Sequence, residues 1–146
     1  MRLDKLTIKS QELLQAAQTA AADNGHQQIE PEHILAAMLD DSEGIVSQII
    51  EKLGVSAKTI AQETAAAIEA MPRVSGPSME PYISQRTKAV LDAAFSQSAG
   101  MKDQYVTVDH IFLALIDEKN GKAAQILKTH GISRDKALQV LLDFRG

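Results

Sequence analysis

Apolar side chains recur along this chain every three to four positions, and short polar stretches interrupt the recurrence. Leu13, Leu14, Ala17, Ala20 and Ala21 follow Thr7 at that spacing. Thr7 carries a hydroxyl able to accept from a free amide in a first helical turn. The pattern stops at Asp23-Asn24-Gly25 and restarts at Glu30-Pro31, where proline suits a first helical position. Ile34, Leu35, Met38 and Leu39 form the second stripe, and Asp40 to Gly44 break it. Val46, Ile49, Ile50 and Leu53 mark a third helix ending at Gly54. Ser56 opens a fourth, with Ile60, Thr64, Ala67, Ile68 and Met71 in period. From Met71 to Ile83 periodicity vanishes. Pro72, Pro77 and Pro81 lie there with Ser75, Gly76 and Ser78, which predicts an irregular connector. The plan then repeats. Ser84 caps a helix through Gly100, Thr107 one through Asp117, Gly121 precedes Ala123 to Leu127, and Ser133 caps a last one through Phe144.

The repetition is literal. Ile29-Glu30-Pro31-Glu32-His33-Ile34 returns as Val106-Thr107-Val108-Asp109-His110-Ile111, a shift of 77 positions (29 to 106) that continues without a gap. Gly44 falls on Gly121, Gln48 on Gln125, Gly54 on Gly131 and Ser56 on Ser133, while upstream Thr7 meets Ser84 and Leu14 meets Leu91. No stretch alternates with period two for long enough to predict a sheet. The expectation is an all-α fold of eight helices, built as two pseudo-twofold-related four-helix repeats. Residues 7–70 form the first repeat, 71–83 the connector and 84–146 the second, within a single globular domain over 1–146. Each half exposes an apolar face, and packing the halves together covers both.

Composition narrows the function. At 146 residues the chain can bury a sizeable core, and with aromatics at 3% and no Trp that core falls to Leu, Ile, Val, Ala and Met. A net charge of −4 with no basic cluster argues against nucleic-acid binding. Without cysteine there are no disulfides or thiolate metal sites. Neither a signal-peptide core nor a membrane-length apolar run is present, so the expected location is cytoplasmic, with no membrane partner.

Catalytic chemistry is hard to find. The only Gly-Lys pair, Gly121-Lys122, is followed by Ala123, so no phosphate-binding loop is predicted. His26, His33, His110 and His130 sit at no metal-ligand spacing, and no metal site or catalytic residue is predicted. His33 and His110, equivalent in the repeat, read better as structural rings that hydrogen-bond near a helix start. Glu32 and Asp109 are also equivalent, each in the first turn of a helix, where an acid complements the helix dipole. With Thr7 and Ser84 matched as well, each half offers one hydroxyl and one acid. Were those helix starts to converge, each pair would suit a cationic or hydrogen-bond-donating ligand.

Three stretches carry a resemblance: Met1-Arg2-Leu3-Asp4-Lys5-Leu6-Thr7, Ile29-Glu30-Pro31-Glu32-His33, and Met71-Pro72-Arg73-Val74-Ser75-Gly76. In order and spacing the chain resembles, over its whole length, the N-terminal domain of the ClpB disaggregases within the Clp-type AAA+ chaperones. That resemblance implies a substrate-binding module that engages unfolded or aggregated polypeptide. Threading would fall to a hexameric ATPase ring, absent from this chain, in cooperation with a DnaK-type chaperone. ATP and Mg would belong to that parent protein, with no cofactor in this chain and no enzyme activity of its own. The resemblance carries Thr7, Asp103 and Asp109 over as substrate contacts, Asp109 standing where relatives often have glutamate. Relatives that feed a protease read phosphorylated arginine with residues resembling Thr7, Glu32, Ser84 and Asp109. An apolar groove implied near the first helices of the halves points to Leu13 and its mate Val90, which core packing explains equally well. The alternative is a docking module for one dedicated adaptor protein. A small hydrolase, a third reading, finds no motif in its support.

Overall fold

The computed structural model describes residues 2–74 and 80–146. Among them are eight α-helices: α1 (Ile8–Asp23), α2 (Pro31–Asp40), α3 (Ile45–Lys52), α4 (Ala57–Glu69), α5 (Gln85–Gly100), α6 (Val108–Ile116), α7 (Lys122–Thr129) and α8 (Arg134–Arg145). The all-α expectation is met. The polar residues that open the pattern also close the backbone. Thr7, Ser56, Ser84 and Ser133 each accept, through the side chain, from the amide three residues on. Each such bond satisfies one of the four amides that a helix start leaves unpaired.

One apolar cluster runs through both halves. Ile34, Leu35, Ile49, Ile50 and Ile60 of the first half and Leu91, Ile111, Phe112, Leu113, Leu115 and Leu127 of the second are fully buried in it. Within each half the second helix is central, α2 packing on α1 and α4 as α6 packs on α5 and α8. Across the halves, α4 meets α7 and α3 meets α8, which is one contact seen twice through the pseudo-twofold.

Two features depart from an all-helical plan. Gln28–Ile29 (β1) pairs in parallel with Tyr82–Ile83 (β2), in the register Gln28 to Tyr82 and Ile29 to Ile83. A parallel bridge joins Leu6 to Val106. A shift of 77 carries Leu6 onto Ile83 and Ile29 onto Val106, so the bridge and the strand pair are one motif in two copies. In each copy the residue two positions before one half's first helix pairs with the residue two positions before the other half's second helix. The end of the predicted connector, Tyr82-Ile83, is therefore ordered by the partner repeat. Ser75 to Ser78, the part of the predicted connector richest in Pro, Gly and Ser, lies outside the described residues.

Candidate functional site

The bridge and the strand pair bring four helix starts together as two pairs, each drawing one helix from each half. At the first junction Ser84 N–H donates to the Ile29 carbonyl, and the Thr87 hydroxyl to the same oxygen at 2.7 Å. At the second, Thr7 N–H donates to the Val106 carbonyl, and the Ser10 hydroxyl joins it at 3.0 Å. The helix starts meet across the halves, but the two hydroxyls bond other groups than the equivalent acids Glu32 and Asp109. Ser84 of the second half donates to Glu30 of the first at 2.5 Å, beside Glu32. The Thr7 hydroxyl of the first half donates to Ser10, whose own hydroxyl reaches the Val106 carbonyl of the second.

His33 and His110 serve the structural role expected of them. Glu30 N–H donates to His33 Nδ1 at 2.9 Å, and Thr107 N–H to His110 Nδ1 at 2.8 Å. An Nδ1 that accepts carries no proton, so each ring is neutral and donates from Nε2. His33 Nε2 meets His26 Nδ1 at 3.0 Å, whereas His110 Nε2 meets Asp103 Oδ2 at 2.7 Å. His26 and Asp103 are themselves repeat mates, an imidazole in one half and a carboxylate in the other. Burial, with His26 adding to it against the opposing charge of Glu32, pulls His33 down to about 4.

Both equivalent acids are already engaged by arginine. Arg86, in the first turn of α5, donates to Glu32 at 3.0 and 3.2 Å and to Glu118 at 2.7 and 2.8 Å. Glu32 also accepts from the Ala123 amide at the start of α7, at 2.8 Å, and its side chain is 1% exposed. The hydrogen bond that Arg86 donates to Glu118, followed by that to Glu32, outweighs burial and holds Arg86 above its ordinary value. Gly121 leaves room for this clamp, because a Cβ there would displace the Glu118 carboxylate and the Arg86 guanidinium from their present places.

At the second junction Arg145, from the last turn of α8, donates to Asp103 at 3.0 and 3.3 Å and to Asp109 at 3.1 Å. Thr107 donates to the other Asp109 oxygen. Burial opposes the charge on Asp103, but the bonds from His110 and Arg145 prevail and hold its carboxyl below the ordinary value. Arg145 is raised in turn, Asp103 and Asp109 overcoming the effect of burial.

Five of the expected site residues thus fall at these junctions: Ser84 and Glu32 at the first, Thr7, Asp103 and Asp109 at the second. The remaining pair does not. Leu13 and Val90 are 7% and 3% exposed and belong to the core, so they cannot line an open groove. Their helices bury that face against the rest of the core, and the exposed apolar surface lies elsewhere. Leu3, Ile8 and Tyr105 flank the Leu6–Val106 bridge, and Leu142 and Phe144 flank Arg145; all five are between 42% and 75% exposed. Arg86, Arg145, Glu118 and His26 were not anticipated. The repeat mates of the two arginines are Lys9 and Ile68, so the internal repeat gives no sign of either.

Residues 5–130 match the family described as the Clp repeat (R) N-terminal domain. The chain belongs to that family. This Clp N-domain is 37% identical over 145 residues to the chaperone protein ClpB of Rhizobium meliloti, a match that covers 99% of the chain and 17% of that relative. The chain therefore spans about a sixth of the length of the curated relatives it matches. Among solved structures it is similar to the Hsp104 N-terminal domain from Candida albicans, with a TM-score of 0.85 and 23% identity, covering 97% of this chain and 92% of the other. It is similar also to a ClpV N-domain in complex with a VipB peptide, with a TM-score of 0.72 and 20% identity, covering 90% and 81%. At those identities the likeness is one of fold. No described helix of this Clp N-domain is long and apolar enough to cross a membrane.

Proposed function

We propose that this Clp N-domain is the substrate-binding module of an ATP-dependent disaggregase. It engages unfolded or aggregated polypeptide at the second junction and hands it to a hexameric ATPase ring outside this chain, working with a DnaK-type chaperone. Binding is the module's own contribution; ATP and Mg belong to the ring. The observation that carries this reading is that Leu3, Ile8, Tyr105 and Phe144, within a few residues in sequence of Thr7, Asp103 and Arg145, are all exposed. Burying such surface in a client drives association without demanding a particular sequence. The polar cluster beneath it anchors a main chain or a cationic side chain. Ordering a mobile client costs conformational entropy, so the expected affinity is weak.

Glu32 and Ser84 act here as structural groups, since Glu32 is buried under Arg86 and Ser84 caps α5. The test is an NMR titration of the labelled chain with casein. Fast-exchange shifts centred on Thr7, Ile8, Asp103, Tyr105 and Asp109 support the reading. Silence there while casein binds another face overturns the placement.

Docking of one dedicated adaptor is the second reading, favoured by the VipB peptide on the ClpV N-domain. A single folded partner bound tightly, with casein unbound at millimolar concentration, would select it.

A further inference from the structure

The chain contains two Asn-Gly pairs, Asn24-Gly25 and Asn120-Gly121. In such a pair the glycine nitrogen, with no side chain in the way, can attack the asparagine carboxamide. The fold treats the two pairs oppositely. The first is stitched into the end of α1. The Asn24 side-chain amide donates to the Ala20 carbonyl at 2.7 Å, and Gly25 N–H donates to the Ala22 carbonyl at 3.0 Å. The Gly25 carbonyl is held in turn by Val74 N–H at 2.9 Å. Carboxamide and nucleophile are both engaged. The second pair lies in the turn between α6 and α7, where Asn120 is exposed at φ +67°. Among the described residues neither its carboxamide nor the Gly121 N–H has a hydrogen-bond partner. Both residues line an open hollow between α6, α7 and the start of α8, so water reaches the carboxamide.

We infer that Asn120 is a site of spontaneous modification, closing with Gly121 to a succinimide that water opens to aspartate and isoaspartate, and that the isoaspartate loosens the clamp between the halves. The Gly121 nitrogen bonds to Asn120 Cγ as the Cγ–Nδ2 bond breaks, and ammonia leaves with the proton that Gly121 loses. Water added at Cγ restores the main chain and gives aspartate. Water added at the main-chain carbonyl of residue 120 leaves the chain running through Cγ and gives isoaspartate. Either product puts a carboxylate two positions after Glu118. Isoaspartate also inserts a methylene directly ahead of Gly121, whose backbone packs so closely on the Glu118 carboxylate and the Arg86 guanidinium that a Cβ would displace both. Two positions further on, the Ala123 amide donates to Glu32 at 2.8 Å, so a shift at Gly121 reaches both acids that hold Arg86.

The experiment ages the whole chain at neutral pH, folded and in urea, and follows the acid formed at each asparagine by mass mapping of its peptides. In urea the two pairs should react at similar rates. In the folded chain Asn120 should nearly keep that rate while Asn24 falls behind about tenfold, the combined effect of the two bonds it must first break. Equal rates in the folded chain, or an Asn120 slowed as much as Asn24, overturn the site. The isoaspartate fraction, separated by ion exchange, should show a displaced Ala123 amide resonance. Its urea midpoint should lie below that of Asn120→Asp, which carries the charge without the methylene. A midpoint equal to that of Asn120→Asp, with the Ala123 resonance unmoved, overturns the loosening of the clamp. Asn120→Gln should keep its midpoint through the same ageing, and an equal fall in that variant overturns it as well.

Discussion

His33 is a fully buried base whose one outward bond goes to another imidazole rather than to a carboxylate. The folded protein therefore resists protonating it, with the ring held at about 4 against an ordinary 6.5. As pH falls below 6.5 the unfolded chain gains a proton that the folded chain refuses, so stability drops between pH 6.5 and 4 and is full above that range. The loss should approach about 3 kcal/mol below pH 4, and about 2 kcal/mol of it should appear between urea unfolding at pH 7.5 and at pH 5. His26→Asp would place at this position the carboxylate that Asp103 supplies to His110. The variant should flatten the slope, because the new acid favours the protonated ring. An unaltered slope would show that His26 does not face the titrating group. His26 Nε2 is buried without a hydrogen-bond partner among the described residues, so that variant also removes an unsatisfied donor.

Helices end here in ways that their sequences disclose unequally. Gly25 follows α1 at φ +72°, in the left-handed region, and its repeat mate Lys102 holds φ +60° after α5 without glycine's freedom. Lys102→Gly should stabilise the protein by about 0.5–1 kcal/mol, as relief of the strained Cβ outweighs the added freedom of the unfolded chain. Gly25→Ala should destabilise by about 1 kcal/mol, and paired thermal melts would show the opposite signs. Glycine announced the first of these ends, and nothing in Lys102 announced the second. The caps at Thr7, Ser56, Ser84 and Ser133 were legible because a hydroxyl before an apolar period has a local mechanism. Tyr82-Ile83 was not, since two residues carry no period and their partner lies 54 positions upstream. Leu13 and Val90 could be placed on helices but not on a face, because burial depends on which helix arrives from the other half.

Over the whole molecule, a buried polar link between the halves runs through Glu32. Its carboxylate ties α2 of the first half to Arg86 and to the Ala123 amide of the second. Glu32→Gln should cost about 1–3 kcal/mol, since Arg86 keeps the Glu118 carboxylate while it and the Ala123 amide lose a charged acceptor in a buried place. The loss should appear as a lower urea midpoint in one cooperative transition; two separate transitions would mean that the halves do not stand or fall together. Neither arginine clamp is visible in the repeat, because the mates of Arg86 and Arg145 are Lys9 and Ile68. The cross-half motif is the opposite case, for Leu6 with Val106 and Ile83 with Ile29 are copies of one pairing. A single repeat consequently owns both members of every such contact, and two separate copies of it can close the same circle. The molecule is in this respect an isologous dimer whose two subunits happen to share one chain.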